Sequence, residues 1–318
     1  MKRIITKSKS GTGCLDLPRI AVVLVALLVF CGSICEDKDP YLSNPNLVLL
    51  LKKEGHCLFN PVPAPNGRLI YFLDDSAPDT QNPPTSFVGG DLHVFNLADS
   101  SDRLLLQGLF LALALSRDGQ KIALLSSRYR RDTLEAFITD TAGTTVDTVL
   151  LPHPGEEWGV RSDLAFLSSG ERVVFSVWME SRSRFTSFIS KGLGHDTGTV
   201  LIDSVPWAVL GFDVFDSDSI YADSVATGYP SVNPQNSRWA VFASEEGLFG
   251  SCWLIHDRQK EKFNALGSET HPYRIGYVEW PCWTADGRDL VFSTAAYTNG
   301  EIASLELWLL RDALAGHR

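Results

Sequence analysis

The chain has 318 residues, 44% of them hydrophobic and 21% charged, with 28 Lys and Arg against 38 Asp and Glu. That apolar share excludes an intrinsically disordered chain, and six cysteines in this length exclude a small disulfide scaffold. The net charge of −10 speaks against a polyanion binder, because neutralising phosphates needs clustered Lys and Arg, so no nucleic acid partner is expected.

The first 35 residues differ in kind from the rest. Lys2, Arg3, Lys7, Lys9 and Arg19 make a basic start, and Ile20 to Phe30 is an unbroken apolar run. This is the layout of a signal peptide or lipoprotein leader. Cys31 and Cys35 close the run, each in a context that resembles a lipid-processing box, and are the candidate lipidation sites. Residues 36–46, opening on Glu36-Asp37-Lys38-Asp39-Pro40, suit a tether. The expected location is outside the cytoplasm, periplasmic or held at a membrane through the leader or a lipid. Residues 36–318 carry 23 basic and 37 acidic side chains, a net charge of −14. Their three cysteines, Cys57, Cys252 and Cys282, allow at most one internal disulfide, Cys252–Cys282 or Cys57–Cys282, with buried free thiols the alternative.

From residue 47 onward one phrase recurs. It reads Ala64-Pro65-Asn66-Gly67-Arg68-Leu69-Ile70-Tyr71-Phe72, then Leu115-Ser116-Arg117-Asp118-Gly119-Gln120-Lys121-Ile122-Ala123-Leu124. A third copy is Leu167-Ser168-Ser169-Gly170-Glu171-Arg172-Val173-Val174-Phe175, and a worn fourth is Asn233-Pro234-Gln235-Asn236-Ser237-Arg238-Trp239-Ala240-Val241-Phe242. The fifth is Trp283-Thr284-Ala285-Asp286-Gly287-Arg288-Asp289-Leu290-Val291-Phe292. Aligned on the turn glycine, with Ser237 standing in for it in the fourth copy, the steps are 52, 51, 67 and 50 residues. A fixed period of this size marks an array of supersecondary units. Asn or Asp before Gly signals a tight hairpin, since Gly accepts the positive φ such turns need. A strand-like run follows each turn, and a second follows that: Leu92–Phe95, Ala136–Ile138, Phe185–Ile189, Cys252–Ile255 and Leu305–Leu309. Leu104–Leu106 and Val146–Leu151 add a fourth strand to their units. Four short antiparallel strands per unit of about fifty residues predict an all-β fold, a β-propeller of five or six blades. The long 67-residue step holds Phe212–Tyr221, a degenerate hairpin that is either a reduced sixth blade or an insertion. The last unit has three strands, and Leu47–Leu51 is expected to supply its outer strand and close the ring.

The phrase resembles the WD40-like (PD40) repeat with its Ser-Pro-Asp-Gly-Lys core, found in the propeller domain of the TolB family. The resemblance covers roughly residues 60–310 and is carried best by Leu115–Ala123 and Trp283–Arg288; the third and fourth copies have lost the Asp. It implies that residues 47–318 form one propeller in which the Asp-Gly turns join the first and second strands of each blade. The second-to-third (b–c) and blade-to-blade (d–a) connections then share the opposite face. It also implies a periplasmic scaffold that contacts a protein of the cell envelope. The 24 residues between Cys35 and Asn60 leave no room for the N-terminal α/β domain of TolB itself.

Sites of chemistry are few. The sequence has no Gly-x-Ser-x-Gly elbow, His-Glu-x-x-His, phosphate-binding Gly-x-x-x-x-Gly-Lys-Ser/Thr or Cys-x-x-Cys motif, and its seven His are scattered. No catalytic residue, metal or cofactor is expected. Asp213, Asp216 and Asp218 offer oxygens for calcium, but without the Gly and terminal Glu of a calcium loop they read as a polar turn. Aromatic and Arg residues collect instead in the segments assigned to one loop face: Arg128, Arg130, Arg131, Trp158, Trp178, Arg182, Tyr273, Trp280 and Tyr297. These types dominate binding hot spots, and they also plug gaps between blades. Gly67, Asp118, Gly119, Gly170, Asp286 and Gly287 are assigned to the repeat turns and to structure. The expected function is non-catalytic binding of an envelope protein. The alternatives are a carbohydrate-binding or a polysaccharide-acting propeller.

Overall fold

The computed structural model describes residues 45–76, 89–130, 133–152, 158–166, 173–179, 184–189, 199–203, 209–213, 219–223, 228–236, 238–244, 252–257, 262–265, 278–298 and 301–315. All lie in one unit spanning Asn44–Arg318. Among them every regular element is a strand.

The strands fall into the units that the repeat predicts. The first unit is β2 (Cys57–Pro63), β3 (Leu69–Asp75), β4 (Gly90–Asn96) and the first half of β5 (Ser101–Leu115). The second half of β5 opens the next unit with β6 (Lys121–Arg130), β7 (Thr133–Asp140) and β8 (Thr145–Pro152). Then come β9 (Trp158–Phe166), β10 (Val173–Met179), β11 (Arg184–Ile189) and β12 (Thr199–Asp203). A lone pair follows, β13 (Val209–Asp213) with β14 (Ser219–Asp223). The next unit is β15 (Gly228–Val232), β16 (Trp239–Ser244), β17 (Cys252–Asp257) and β18 (Lys262–Ala265). The last is β19 (Val278–Trp283), β20 (Leu290–Thr298) and β21 (Glu301–Leu310), completed by β1 (Leu47–Leu51). The pair β13–β14 is the degenerate hairpin of the long step, with Phe212 opposite Ile220. β1 runs antiparallel on β21, as the closing strand was expected to do.

The first strands of the units stand side by side in the order β13, β15, β19, β2, β5, β9. Radial packing of that kind buries both faces of the first two sheets. In the first unit Phe59, Tyr71 and Leu73 pack toward Leu113, Ile122 and Leu124 of the second. The alternate residues Leu58, Ile70 and Phe72 pack toward Val291, Leu307 and Leu309 of the last. Ala112, Ala114, Ala123 and Leu125 meet Phe166 and Val173 of the third unit. Two buried faces explain why runs such as Leu69–Leu73 are apolar without a break, since an alternating pattern serves a sheet with one wet face. The architecture is a β-propeller.

The repeat phrase is the hairpin turn between first and second strands, and its residue types follow from its hydrogen bonds. In the second unit the Gly119 N–H donates to the Ser116 carbonyl (2.8 Å) and the Ser116 N–H to the Lys121 carbonyl (2.9 Å). The Asp118 carboxylate accepts from the Ser116 hydroxyl (2.6 Å) and the Gln120 N–H (3.0 Å), while the Ser116 oxygen accepts from the Lys121 N–H (2.9 Å). These bonds hold the Asp118 carboxyl below the usual carboxylate range, the Ser116 hydroxyl contributing most. Thr284, Asp286, Arg288 and Asp289 repeat the pattern in the last unit. Gly67, Gly119 and Gly287 have φ of 66°, 69° and 65°.

Neighbouring turns also touch. A Cβ on Gly119 would stand 2.8 Å from Pro65 Cδ, and one on Gly287 would stand 2.2 Å from Asn233 Oδ1. The buried Asn233 amide donates to the Gly287 carbonyl (2.7 Å), and Gln235 Nε2 donates to the Ala285 carbonyl (2.7 Å). The worn fourth copy has thus kept an Asn at its first position that ties its turn to the next one.

Candidate functional site

Each second strand starts at a repeat turn, so its far end lies at the opposite end of the sheet. Arg128 and Arg130 sit near that far end of β6, where Tyr129 pairs with Leu134 and Arg130 with Thr133. Trp178, the penultimate residue of β10, stands opposite Gly159, next to the pair formed by Met179 and Trp158. Tyr297 pairs with Ile302 near the end of β20. The backbone therefore brings these five positions to the end of their sheets that faces away from the repeat turns. Arg131, Arg182, Tyr273, the turn residue Gly170 and the leader cysteines Cys31 and Cys35 lie outside the described residues.

Trp280 departs from the sequence expectation. Its side chain is 5% exposed and its ring centroid lies 5.4 Å from that of Phe59. It stands at a bulge of β19, with φ of 52°, in the core cluster that holds Phe59, Ala295 and Leu305. A tryptophan buried between blades is withdrawn from any loop-face contact. Neither Cys57 nor Cys282 forms a disulfide. Burial, followed by the nearby Asp75 carboxylate, pushes the Cys57 thiol up to about 12, and burial pushes Cys282 up to about 11, so both stay protonated and unreactive at neutral pH.

A cluster of charges that the sequence did not announce lies where the first unit meets the last. The linker from β1 to β2 supplies Lys53 and His56, β3 supplies Asp74, β4 His93 and β5 Asp102. Lys53 Nζ donates to Asp74 Oδ2 (2.6 Å) and to Asp102 Oδ2 (2.5 Å). His56 Nδ1 lies 2.7 Å from Asp74 Oδ1, and His93 Nδ1 lies 2.9 Å from Asp102 Oδ1. Asp74 is 3% exposed at its side chain and Asp102 18%. Burial opposes ionisation of Asp102, but the hydrogen bonds from Lys53 and His93 outweigh it and hold the carboxyl below its ordinary value. An ionised carboxylate only accepts, so His93 presents its Nδ1 proton to it. Burial also opposes the Lys53 charge, and the same bonds to Asp102 and Asp74 overcome it and raise the ammonium above its ordinary value. The ammonium lies 5.7 Å from the Phe72 ring centroid. The five residues are dispersed over fifty positions, and the linker that carries two of them is also held to β21 by the Leu305 N–H, which donates to the His56 carbonyl (3.1 Å). The described His, Cys, Asp and Glu include no group of three placed to hold a metal ion.

On the turn face, a groove of about 370 Å³ runs between the turns of the β15–β18 unit and the last unit, lined by Asn236, Arg238, Trp239, Asp286, Arg288 and Leu314 among others. The Arg238 guanidinium stacks 4.7 Å from the Trp239 ring, and Arg288 pairs with Asp312 at 3.0 Å.

No family model and no curated protein matches the sequence. Solved structures do. A structural-genomics protein of unknown function from Bacteroides thetaiotaomicron VPI-5482 superposes with a TM-score of 0.52 at 10% identity, over 83% of this chain and 75% of that one. TolB from Acinetobacter baumannii gives 0.41 at 10% identity, over 80% and 54%. The β-propeller domain of the Trilobed protease from Pyrococcus furiosus gives 0.42 at 11% identity, over 81% and 82%. TolB proteins and a peptidase propeller are thus among its structural neighbours. The chain spans about half the length of the TolB chain it matches. At these identities the likeness concerns fold alone.

Proposed function

We propose that this chain is a non-catalytic binding propeller of the bacterial cell envelope, which holds a protein partner on the face formed by its b–c and d–a connections. The observation that carries this reading is the length of two b–c hairpins. β6 ends at Arg130 and β20 at Thr298, each eleven residues past its turn glycine, whereas β3 ends at Asp75, eight past Gly67. The extra residues lengthen the ladder on the loop side only, and in β6 they include Arg128 and Arg130. On the other face, the turn side chains are engaged in hydrogen bonds within and between turns. Arginine and aromatic residues on a rigid scaffold are the usual makers of a protein contact. The leader read from the sequence supports an envelope location.

The test is capture from envelope extract, with the bound protein identified by mass spectrometry. Arg130→Ala with Arg131→Ala and Trp178→Ala should abolish recovery of the main partner and leave the melting temperature close to that of the parent protein. Gln120→Ala with Arg288→Ala, on the turn face, should leave recovery intact. Loss of capture from the turn-face pair alone would reverse the assignment of faces. Hydrolysis of envelope polysaccharide by the purified protein would replace this reading with the enzymatic one.

A further inference from the structure

The linker between β1 and β2 holds two adjacent lysines that reach in opposite directions. Lys52 Nζ lies 2.9 Å from Glu306 Oε1 on β21, in the last unit. Lys53 is bound to Asp74 and Asp102, in the first. Glu306 is 1% exposed at its side chain and also accepts from Trp308 Nε1 at 3.1 Å. One dipeptide therefore pins both sides of the boundary at which the two ends of the chain meet.

The strand just before these lysines is weakly held by its own contacts. β1 has five residues, four of them paired, with an irregularity between Leu49 and Leu51. Leu49 is 44% exposed, and Val48, Leu50 and Leu51 are only partly buried against the seam cluster. Its partner β21 lies about 250 residues away in sequence, so pairing must overcome a large loop-closure entropy that a hairpin does not face.

We propose that β1 is a detachable strap: it lifts off β21 in an event separate from global unfolding, while the parallel contact of β2 with β21 and the apolar cluster of Leu58, Ile70, Phe72, Val291, Leu307 and Leu309 hold the two units together, and Lys52 and Lys53 are the clasp that keeps it down. The clasp works through desolvation. In the shut state Asp74 and Glu306 are sealed from water, and a sealed carboxylate without its cation is costly. Once the linker lifts, water reaches the same carboxylates and the lysines are no longer needed. Removing a lysine therefore weakens the shut state of the seam selectively, while the hairpins on the far side of the ring keep their own contacts. Opening bares the outer edge of β21, the one sheet edge that the strap covers.

Native-state hydrogen exchange on the full chain at pH 7 tests this. Amides of β1 should exchange faster than those of β3 and β4, through an opening that leaves β6 and β7 protected. Lys53→Met and Asp102→Asn should each speed exchange in β1 by about tenfold or more, with the β6–β7 hairpin unchanged. Lys52→Met, which takes the cation from the sealed Glu306 carboxylate, should speed exchange in the same place. If Lys53→Met does not fold, Asp102→Asn, which keeps the bond from Lys53 to Asp74, decides the matter by itself. Protection of β1 equal to that of β3 would overturn the proposal, as would variants that leave β1 unchanged or that accelerate all strands alike.

Discussion

The turn glycines show how one residue type can be demanded for different reasons. Gly67, Gly119 and Gly287 share a positive φ, yet a methyl group on Gly67 would meet nothing within 4 Å, while Gly119 and Gly287 are overlaid by the preceding turn. Gly67→Ala should cost about 1 kcal/mol, the strain of a left-handed alanine. Gly119→Ala and Gly287→Ala should cost more, and Gly287→Ala most, because the atom it displaces belongs to Asn233, which is fixed by its own hydrogen bond to the Gly287 carbonyl. Denaturant melts of the three variants give the ranking, and equal losses would show that φ alone governs these positions. Asp102 offers a second prediction. Its folded carboxyl titrates below the ordinary value of about 3.9, so its contribution to stability is present above that value and is lost as pH falls through the folded one. The stability difference between the parent and Asp102→Asn should be largest near pH 7 and shrink towards pH 3 in urea unfolding. Besides Lys53 and His93, the charged and titratable groups of this cluster are Asp74, which lies against both of them, and His56, which faces the other oxygen of Asp74.

At the scale of the element, β1 decides whether the last unit ends in a covered or an open edge. Leu47 is buried and Leu49 exposed on the same five-residue strand. Leu47→Asp should cost on the order of 2–3 kcal/mol, the loss of a buried leucine together with the burial of a charge. Leu49→Lys should stay within about 0.5 kcal/mol and should reduce self-association, since a lysine on an outer strand discourages edge pairing. Thermal melts and light scattering of the two variants separate these outcomes. The element scale is also where the sequence was most legible. The closing role of Leu47–Leu51 followed from counting strands in the last unit, and the hairpin at Phe212–Tyr221 followed from spacing, because both are local patterns repeated in register.

At the scale of the whole molecule, the core described lies between blades, and the first two sheets are each held by neighbours on two faces. This is why apolar runs predicted strands well and predicted the fate of single aromatics poorly. Trp280 follows an apolar-looking approach to a turn, like residues that end on the surface, and only its packing on Phe59 across the first strands places it in the core. The sequence by itself determined the hairpin turns, the order of the strands, the β-propeller class and the strand that closes it. These rest on interactions within about fifty residues: an Asp or Asn that binds its own turn, a glycine with positive φ, a run of β-branched and aromatic residues. Only the tertiary structure decided the contact of one turn with the next, the burial of Trp280 and the clasp at the seam. Those depend on which residues meet across the ring, and Lys52, Lys53, Asp74, His93, Asp102 and Glu306 share no spacing until closure brings the two ends of the chain together.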